Sequence, residues 1–559
     1  MKLNLKSLTR SLCIIIASLL LTSVSYGQIN LDKFNTIDSL FIEWNSPNHP
    51  GGSVGVAFKG VPIFTKAYGL ADMGYLIPNN YGTSFNIASV SKQFTAMGIV
   101  KLHLQGKLNI DDDIREYLPE LPDFGHKISF RHMLHHTSGL RSLHTLFSLA
   151  GWRKDDMRNN DDLLRFMKMQ QDLNFEPGSE YMYCNSGYIL AAIVVERITG
   201  ESFADWMSEN IFKPLRLYET YVEDIYNNIV HNYATSYSGT LKRGFLKEVE
   251  FWAYTGSGNI HSTSNELLKW MRYYYKPPTG WEEAFSMMLT VDPLTNEKIN
   301  NYAFGVNVNK YNNEKWIHHG GSIGGFRAYA AAFPEHEIDI VILTNFSTSD
   351  PAEKVKKIAD ILLDKKILER PLISYQLKKI DTKFFTKYLG AFETENSPDK
   401  LFELSRRGDT LLYRYSGEKE TRLYSANDSI LFNNNKKIQI TLINAIPERV
   451  IIMSDGKKSI WEKTQKHIPD TKELKTISGN YWSPELETQY KFYLQSGKLY
   501  GFHPRHGSFD VECVTKDIFI SNSDFIKKIQ IIRKGNKVIG MRVTNSRVRD
   551  LWLKKTVDK

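Results

Sequence analysis

Phe85-Asn86-Ile87-Ala88-Ser89-Val90-Ser91-Lys92-Gln93-Phe94 is the stretch from which the reading of this chain follows. Phe94, Met97, Val100 and Leu102 continue it as an apolar helical stripe, and Gly106 stops the helix. Ser89 and Lys92 stand three apart where that helix begins, so the hydroxyl and the amine can meet at the positive end of the helix dipole. A weakly acidic hydroxyl becomes a nucleophile when an amine takes its proton and the local field favours the developing anion. The spacing alone is common. It recurs at Ser397/Lys400, Ser416/Lys419 and Ser454/Lys457, in polar, turn-rich surroundings with no helical stripe behind it.

Two further stretches set Ser89 apart. Pro177-Gly178-Ser179-Glu180-Tyr181-Met182-Tyr183-Cys184-Asn185 places a Tyr and an Asn two apart, after a Pro-Gly turn and before an apolar helix over 189–198. His319-Gly320-Gly321-Ser322-Ile323-Gly324-Gly325-Phe326 lies between strand-like runs. Ser-x-x-Lys, Tyr-x-Asn and a basic residue followed by glycines, in that order, resemble the serine hydrolases of the class C β-lactamase and D-Ala-D-Ala carboxypeptidase superfamily. Leu104-Gln105-Gly106-Lys107-Leu108, Tyr117-Leu118-Pro119 and His136-Thr137-Ser138-Gly139-Leu140 extend the resemblance, which covers about residues 35 to 365.

The resemblance implies roles. Ser89 is the nucleophile. Lys92, if protonated, favours the phenolate of Tyr183, the general base of acylation and general acid to the leaving group. Asn185 holds Lys92 and the substrate amide carbonyl, and the backbone N–H groups of Ser89 and Ser322 form the oxyanion hole. Gly320 and Gly321 give an acyl chain close access to the strand. His319 is the departure, since class C β-lactamases carry Lys-Thr-Gly there. A permanent cation is replaced by a group that titrates near ~6.5, which weakens the antibiotic-hydrolase reading. His318 is expected to point the opposite way. His132, His135 and His136 lack the Glu of a zincin pattern, and neither metal nor cofactor is expected.

The chain has 559 residues, too many for one core. Residues 1–27 look like a secretory signal: Lys2, Lys6 and Arg10 precede an apolar run from Leu12 to Val24, and Ser25-Tyr26-Gly27 offers a cleavage site before Gln28. The run is short of the ~20 apolar residues a spanning helix needs, so a periplasmic or extracellular protein without stable membrane insertion is expected. Removing it lowers the formal charge from +9 by three to +6. No Lys/Arg block interleaved with aromatics marks a nucleic-acid partner. Cys184 and Cys513 do not make a disulfide framework, and Cys184 reads as a small buried apolar residue.

Strand patterns at 53–58, 61–68, 316–319, 326–333 and 338–344 enclose a mostly helical 100–275. One antiparallel sheet built from both ends, covered by helices and joined to a helical subdomain, is the expected α+β fold of residues 28–368. Beyond about 380 the pattern becomes short strands and polar turns with an internal repeat. Gly390 corresponds to Gly479 and Gly408 to Gly497, both 89 residues apart, and Trp461 to Trp552 at 91. Two lipocalin-like β-barrel modules, 380–466 and 473–559, are expected, folding as an all-β unit on their own. A catalytic domain with two such modules resembles D-stereospecific aminopeptidases. The sequence is thus read as an exported serine hydrolase acting through an acyl-enzyme on a small peptide or ester, first a D-amino-acid peptide. A carboxylesterase, a β-lactamase and a noncatalytic binding protein stand as alternatives.

Overall fold

The computed structural model describes residues 31–364, 384–394, 401–415, 418–433, 438–443, 448–454, 457–464 and 467–556. The expected signal segment, Ser397/Lys400 and the module boundaries near 368, 380 and 466 lie outside the described residues.

The expected sheet is present with six antiparallel strands. Their order is Asn307–Tyr311, Glu314–Ile323, Phe326–Phe333, Ile338–Thr344, Gly52–Phe58 and Val61–Tyr68, so the first part of the chain completes a sheet begun by a distant part. Period-2 alternation decides what each face buries. Ile338, Ile340 and Ile342 join Val54, Val56, Phe333 and the helices Leu31–Ser39 and Pro351–Leu362. Val341, Leu343, Ala328 and Ala330 face the opposite way, with Leu268 of the helix Ser264–Tyr273 and the helical lobe. Lys59 and Gly60, at φ 51° and 78°, make the tight turn between the two N-terminal strands. Residues 100–275 carry more loop than expected, and Tyr237–Thr240 pairs with Gly244–Lys247 as a small hairpin.

The tail forms two closed barrels of eight antiparallel strands each, in sequence order. The repeat is carried into detail. Gly390 and Gly479 share an unusual backbone, φ 132° and 137°. A Cβ on either would lie 3.2 or 3.0 Å from Lys463 Cε or Lys555 Cε on the closing strand. Those two lysines donate to equivalent carbonyls, Lys387 at 2.9 Å and Thr476 at 2.6 Å. Phe392, Phe402, Leu423, Ile440, Val450 and Trp461 fill the first barrel.

The second barrel is not a separate body. Its core residues Tyr481, Tyr490, Phe492 and Leu551 belong to one continuous apolar cluster with the catalytic helices. Tyr490 donates to the Leu149 carbonyl, His506 Nε2 meets Ser148 O at 2.8 Å, and Arg505 pairs with Asp156 at 2.7 Å. Arg141 of the catalytic domain and Glu485 of the barrel form an ion pair with both side chains 0% exposed. An isolated tail would keep both closed barrels' own strand pairing but would expose the face of the second barrel that this shared core buries.

Candidate active site

Ser89 and Lys92 meet by a tighter geometry than an α-helix face. Ala88–Ser91 is a 3₁₀ turn, and the α-helix begins at Lys92 and runs to Leu104. With three residues per turn, positions i and i+3 eclipse. Lys92 Nζ donates to Ser89 Oγ at 3.1 Å and to the Ser257 carbonyl at 2.7 Å. The turn is entered through Ala88 at φ 49°, a left-handed conformation costing an alanine about 1–2 kcal/mol. Its N–H donates to Asn86 Oδ1 at 2.9 Å. The segment 254–260 is bound to this turn and to the helix after it: Ile260 N–H donates to Ser91 Oγ at 3.1 Å, and Thr95 Oγ1 donates to Gly256 O at 2.7 Å.

Lys92 is wholly buried, and burial first, then the charge of Arg547, holds its amine well below the usual 10.5. The rings of Tyr183 and Tyr188 lie 4.9 and 5.6 Å from Nζ, which favours a cation, but loss of hydration dominates. Burial pushes the Tyr183 phenol up, with the Ser89 hydroxyl pulling weakly the other way. A protonated lysine beside a phenolate, as expected from the resemblance, is therefore the disfavoured arrangement.

Asn185 opens the helix Asn185–Thr199, with Cys184 as its N-cap. Lys92 has other partners, and the buried Asn185 Oδ1 has none. It lines the cleft and can accept a substrate N–H. No disulfide joins Cys184, buried in the core, to Cys513.

His319 is buried and faces the cleft, while His318 points to the other sheet face, 3.9 Å from the Trp316 ring centroid. His319 Nδ1 lies 2.6 Å from the Gly320 carbonyl, which can only accept, so Nδ1 carries the proton. Nε2 then accepts from Tyr302 Oη at 2.9 Å. Burial and the Lys92 charge push His319 down to about 3, so it is neutral at pH 7. His132 Nδ1 accepts the Ser129 N–H in a capping box, and His135 meets Tyr302 O at 2.7 Å and Asp292 at 3.1 Å. His136 Nδ1 accepts the Cys184 N–H at 3.1 Å, with its ring 4.1 Å from that of Tyr183. All three histidines hold loops in place.

The glycines serve the protein's own packing. A Cβ on Gly321 would stand 2.2 Å from Ile87 O and 3.1 Å from Ala88 Cβ, so the strand lies directly on the nucleophile turn. One on Gly320 would meet the Tyr329 ring at 3.1 Å. Gly321→Ala is expected to push strand and turn apart and lower kcat/KM by about 10²-fold, the effect of an ångström-scale misplacement. Steady-state kinetics checks it, and wild-type rates in the variant would show the contact to be slack.

Ser89, Tyr183, Asn185, His319, Gly320, Gly321 and Ser322 all border one cleft of about 570 Å³. Residues that sequence reasoning missed border it too: Tyr302, the wall of His144, Trp252 and Tyr254, the Ser257 carbonyl, and Arg547. The Gly-Ser-Gly at 256–258 was the only local signal for any of them.

The beta-lactamase family profile matches residues 38–365. The chain is 26% identical over 450 residues to penicillin-binding protein 4* of Bacillus subtilis, covering 76% of this chain and 97% of that protein. It is 26% identical to the D-aminopeptidase of Brucella anthropi over 56% of this chain and 59% of that protein. In fold it is similar to the octameric penicillin-binding protein homologue from Pyrococcus abyssi, with TM-score 0.55, 20% identity, and 85% of this chain and 99% of that one covered. It is also similar to the D-amino acid amidase of Ochrobactrum anthropi SV3, with TM-score 0.51, 20% identity, and 59% and 99% covered. The profile spans more than half of the sequence, its region holds Ser89 at the cleft and the buried Lys92 bonded to it, and the chain belongs to the beta-lactamase family of serine hydrolases.

Proposed function

We propose that the protein is an exported hydrolase that cleaves a D-amino-acid-containing peptide or amide through an acyl-enzyme on Ser89. The observation that carries this is a desolvated Lys92 amine 3.1 Å from a cleft-facing serine hydroxyl. Lys92, whose deprotonated form burial favours, takes the Ser89 proton across the same 3.1 Å contact, with Oγ now donating to Nζ, as Oγ attacks the acyl carbon. The backbone N–H groups of Ser89 and Ser322 are assigned to the oxyanion, each worth about 10²–10³-fold. Tyr183, kept protonated by burial, passes its proton to the departing amine and receives one from the Lys92 ammonium. Water then attacks the ester, giving its proton to Lys92; as the acyl–Oγ bond breaks, Lys92 passes that proton to Ser89 Oγ, which restores the hydroxyl and the neutral amine. The D-aminopeptidase and amidase likenesses support the D-amino-acid substrate. Export rests on the 1–27 pattern. Among the described residues no helix is long and apolar enough to cross a membrane.

A panel of D-Ala-D-Ala peptides, D-aminoacyl amides, their L counterparts, p-nitrophenyl esters and a cephalosporin tests the reading. The expected result is cleavage of D- over L-amides and slow β-lactam turnover, with a fluorophosphonate adduct on the peptide bearing Ser89. An adduct elsewhere, or ester cleavage with no D-amide cleavage, overturns it, the latter in favour of the carboxylesterase.

A further inference from the structure

Arg547 stands at the tip of the hairpin joining the strands Lys537–Asn545 and Val548–Lys555 of the second barrel, far in sequence from every motif of the site. The docked barrel delivers it into the cleft, where it lines the same space as Ser89, Asn185 and His319. Its guanidinium carbon lies 4.8 Å from the Tyr183 ring centroid. The backbone is pinned. Arg547 O accepts from Ser142 N–H at 3.3 Å and Asn174 Nδ2 at 3.0 Å, and Arg549 N–H donates to Asn174 Oδ1 at 2.7 Å.

The neighbouring arginines of this hairpin each have a carboxylate, Arg549 with Glu180 at 3.1 Å and Arg542 with Asp172 at 3.5 Å. Among the described residues Arg547 has none. The other basic groups nearby do not supply a free cation. Burial lowers Lys92, His136, His144 and His319, and Arg327 Nη1 is spent on the carbonyls of Gly324 and Phe326 at 2.9 and 2.7 Å. A half-buried guanidinium on a pinned backbone, lying over an aromatic ring and without a carboxylate among the described residues, has the chemistry to bind one. The ring orients the planar fork while leaving its edge to the cleft.

We propose that Arg547 is the substrate's anion anchor: it binds a carboxylate of the peptide whose acyl group Ser89 takes. This rests on the hydrolase reading above and adds the substrate class, a carboxylate-bearing peptide selected by a residue of the second barrel. The fixed positive charge missing at the His319 strand is supplied from another domain.

The carboxylate could lie on the leaving group or on the acyl side chain, and two matched pairs separate these. One compares a D-Ala-D-Ala peptide as free acid and as C-terminal amide. The other compares D-glutamyl with D-glutaminyl amide. In the full-length enzyme, the acid of one pair is expected to exceed its neutral partner by about 10–100-fold in kcat/KM, as a charge-assisted contact gives. In Arg547→Gln that preference should collapse, mainly through KM, and in Arg547→Lys much of it should remain. The same preference in wild type and Arg547→Gln, or none in wild type for either pair, overturns the anchor. Fluorophosphonate labelling of Ser89 needs no carboxylate, so its failure removes the hydrolase reading, whereas labelling without acid preference removes only the anchor. If no peptide is cleaved, each pair is compared as protection of the enzyme against labelling, and equal protection by acid and neutral partner again overturns it.

Discussion

Lys92→Met is expected to lower kcat/KM by about 10⁴-fold or more, as for one member of a catalytic unit, while leaving the protein at least as stable as its parent. Ser89→Ala should cost as much, and the double variant little more, because the two side chains perform one proton transfer. The stability half follows from burial. A lysine whose amine sits well below 10.5 in the fold binds fewer protons there than in the unfolded chain. Between the depressed value and 10.5 stability therefore rises with pH, and below it the cost of the buried charge is felt in full. Methionine removes the cost and the slope together. It also leaves the Ser257 carbonyl without its 2.7 Å donor, a smaller loss. The acylation rate of the parent should fall as pH drops through the depressed value. Melting curves across pH, with pre-steady-state kinetics, check both halves. A methionine variant within 10-fold of wild-type activity would remove Lys92 from the proton transfer.

Glu485→Ala should be the most damaging substitution far from the cleft, by about 3–5 kcal/mol, because it strands a buried guanidinium. Arg141 also donates to Gln170 Oε1 at 3.1 Å and to the Arg549 carbonyl at 3.0 Å. Glu485 accepts the Gln171 N–H at 3.0 Å and the Trp552 N–H at 3.4 Å. Removing the carboxylate thus frees backbone groups on both sides of the domain boundary. Chemical denaturation gives the size of the loss, and a paired Arg141→Met, Glu485→Leu replacement should recover most of it. A Glu485→Ala protein with an unchanged midpoint would mean that water or another acceptor already serves Arg141.

The order of the motifs made the catalytic half legible. Ser89, Tyr183, Asn185 and His319 converge on one cleft with Lys92 buried behind Ser89, and period-2 patterns delimited the sheet that carries His319. The 89-residue repeat gave the two barrels, because Gly390 and Gly479 need the same rare backbone in each. Protonation states were not legible, since they depend on burial that only tertiary packing creates. Gly321 was read as room for substrate, yet the close approach is to the carbonyl of Ile87. Arg547 and the Arg141–Glu485 pair were hidden for another reason. One-dimensional patterns report which face of an element is apolar, not which other domain covers it.

Because Gly52 pairs with Thr344 and Phe58 with Ile338, the sheet cannot close until roughly 290 further residues have left the ribosome, about 15–60 s at ordinary elongation rates. Through that interval the hairpin 52–68 keeps one edge without its permanent neighbour, and that edge is rich in valine. The helix Leu31–Ser39, made before the hairpin, can cover Val54 and Val56 early, but the other helices packed on this strand come from the intervening chain and after it, so early protection is partial. The nascent enzyme therefore depends on whatever holds an incomplete chain apart from its copies. Substitutions that raise the strand propensity of 52–58 should lower its yield before they change the finished molecule.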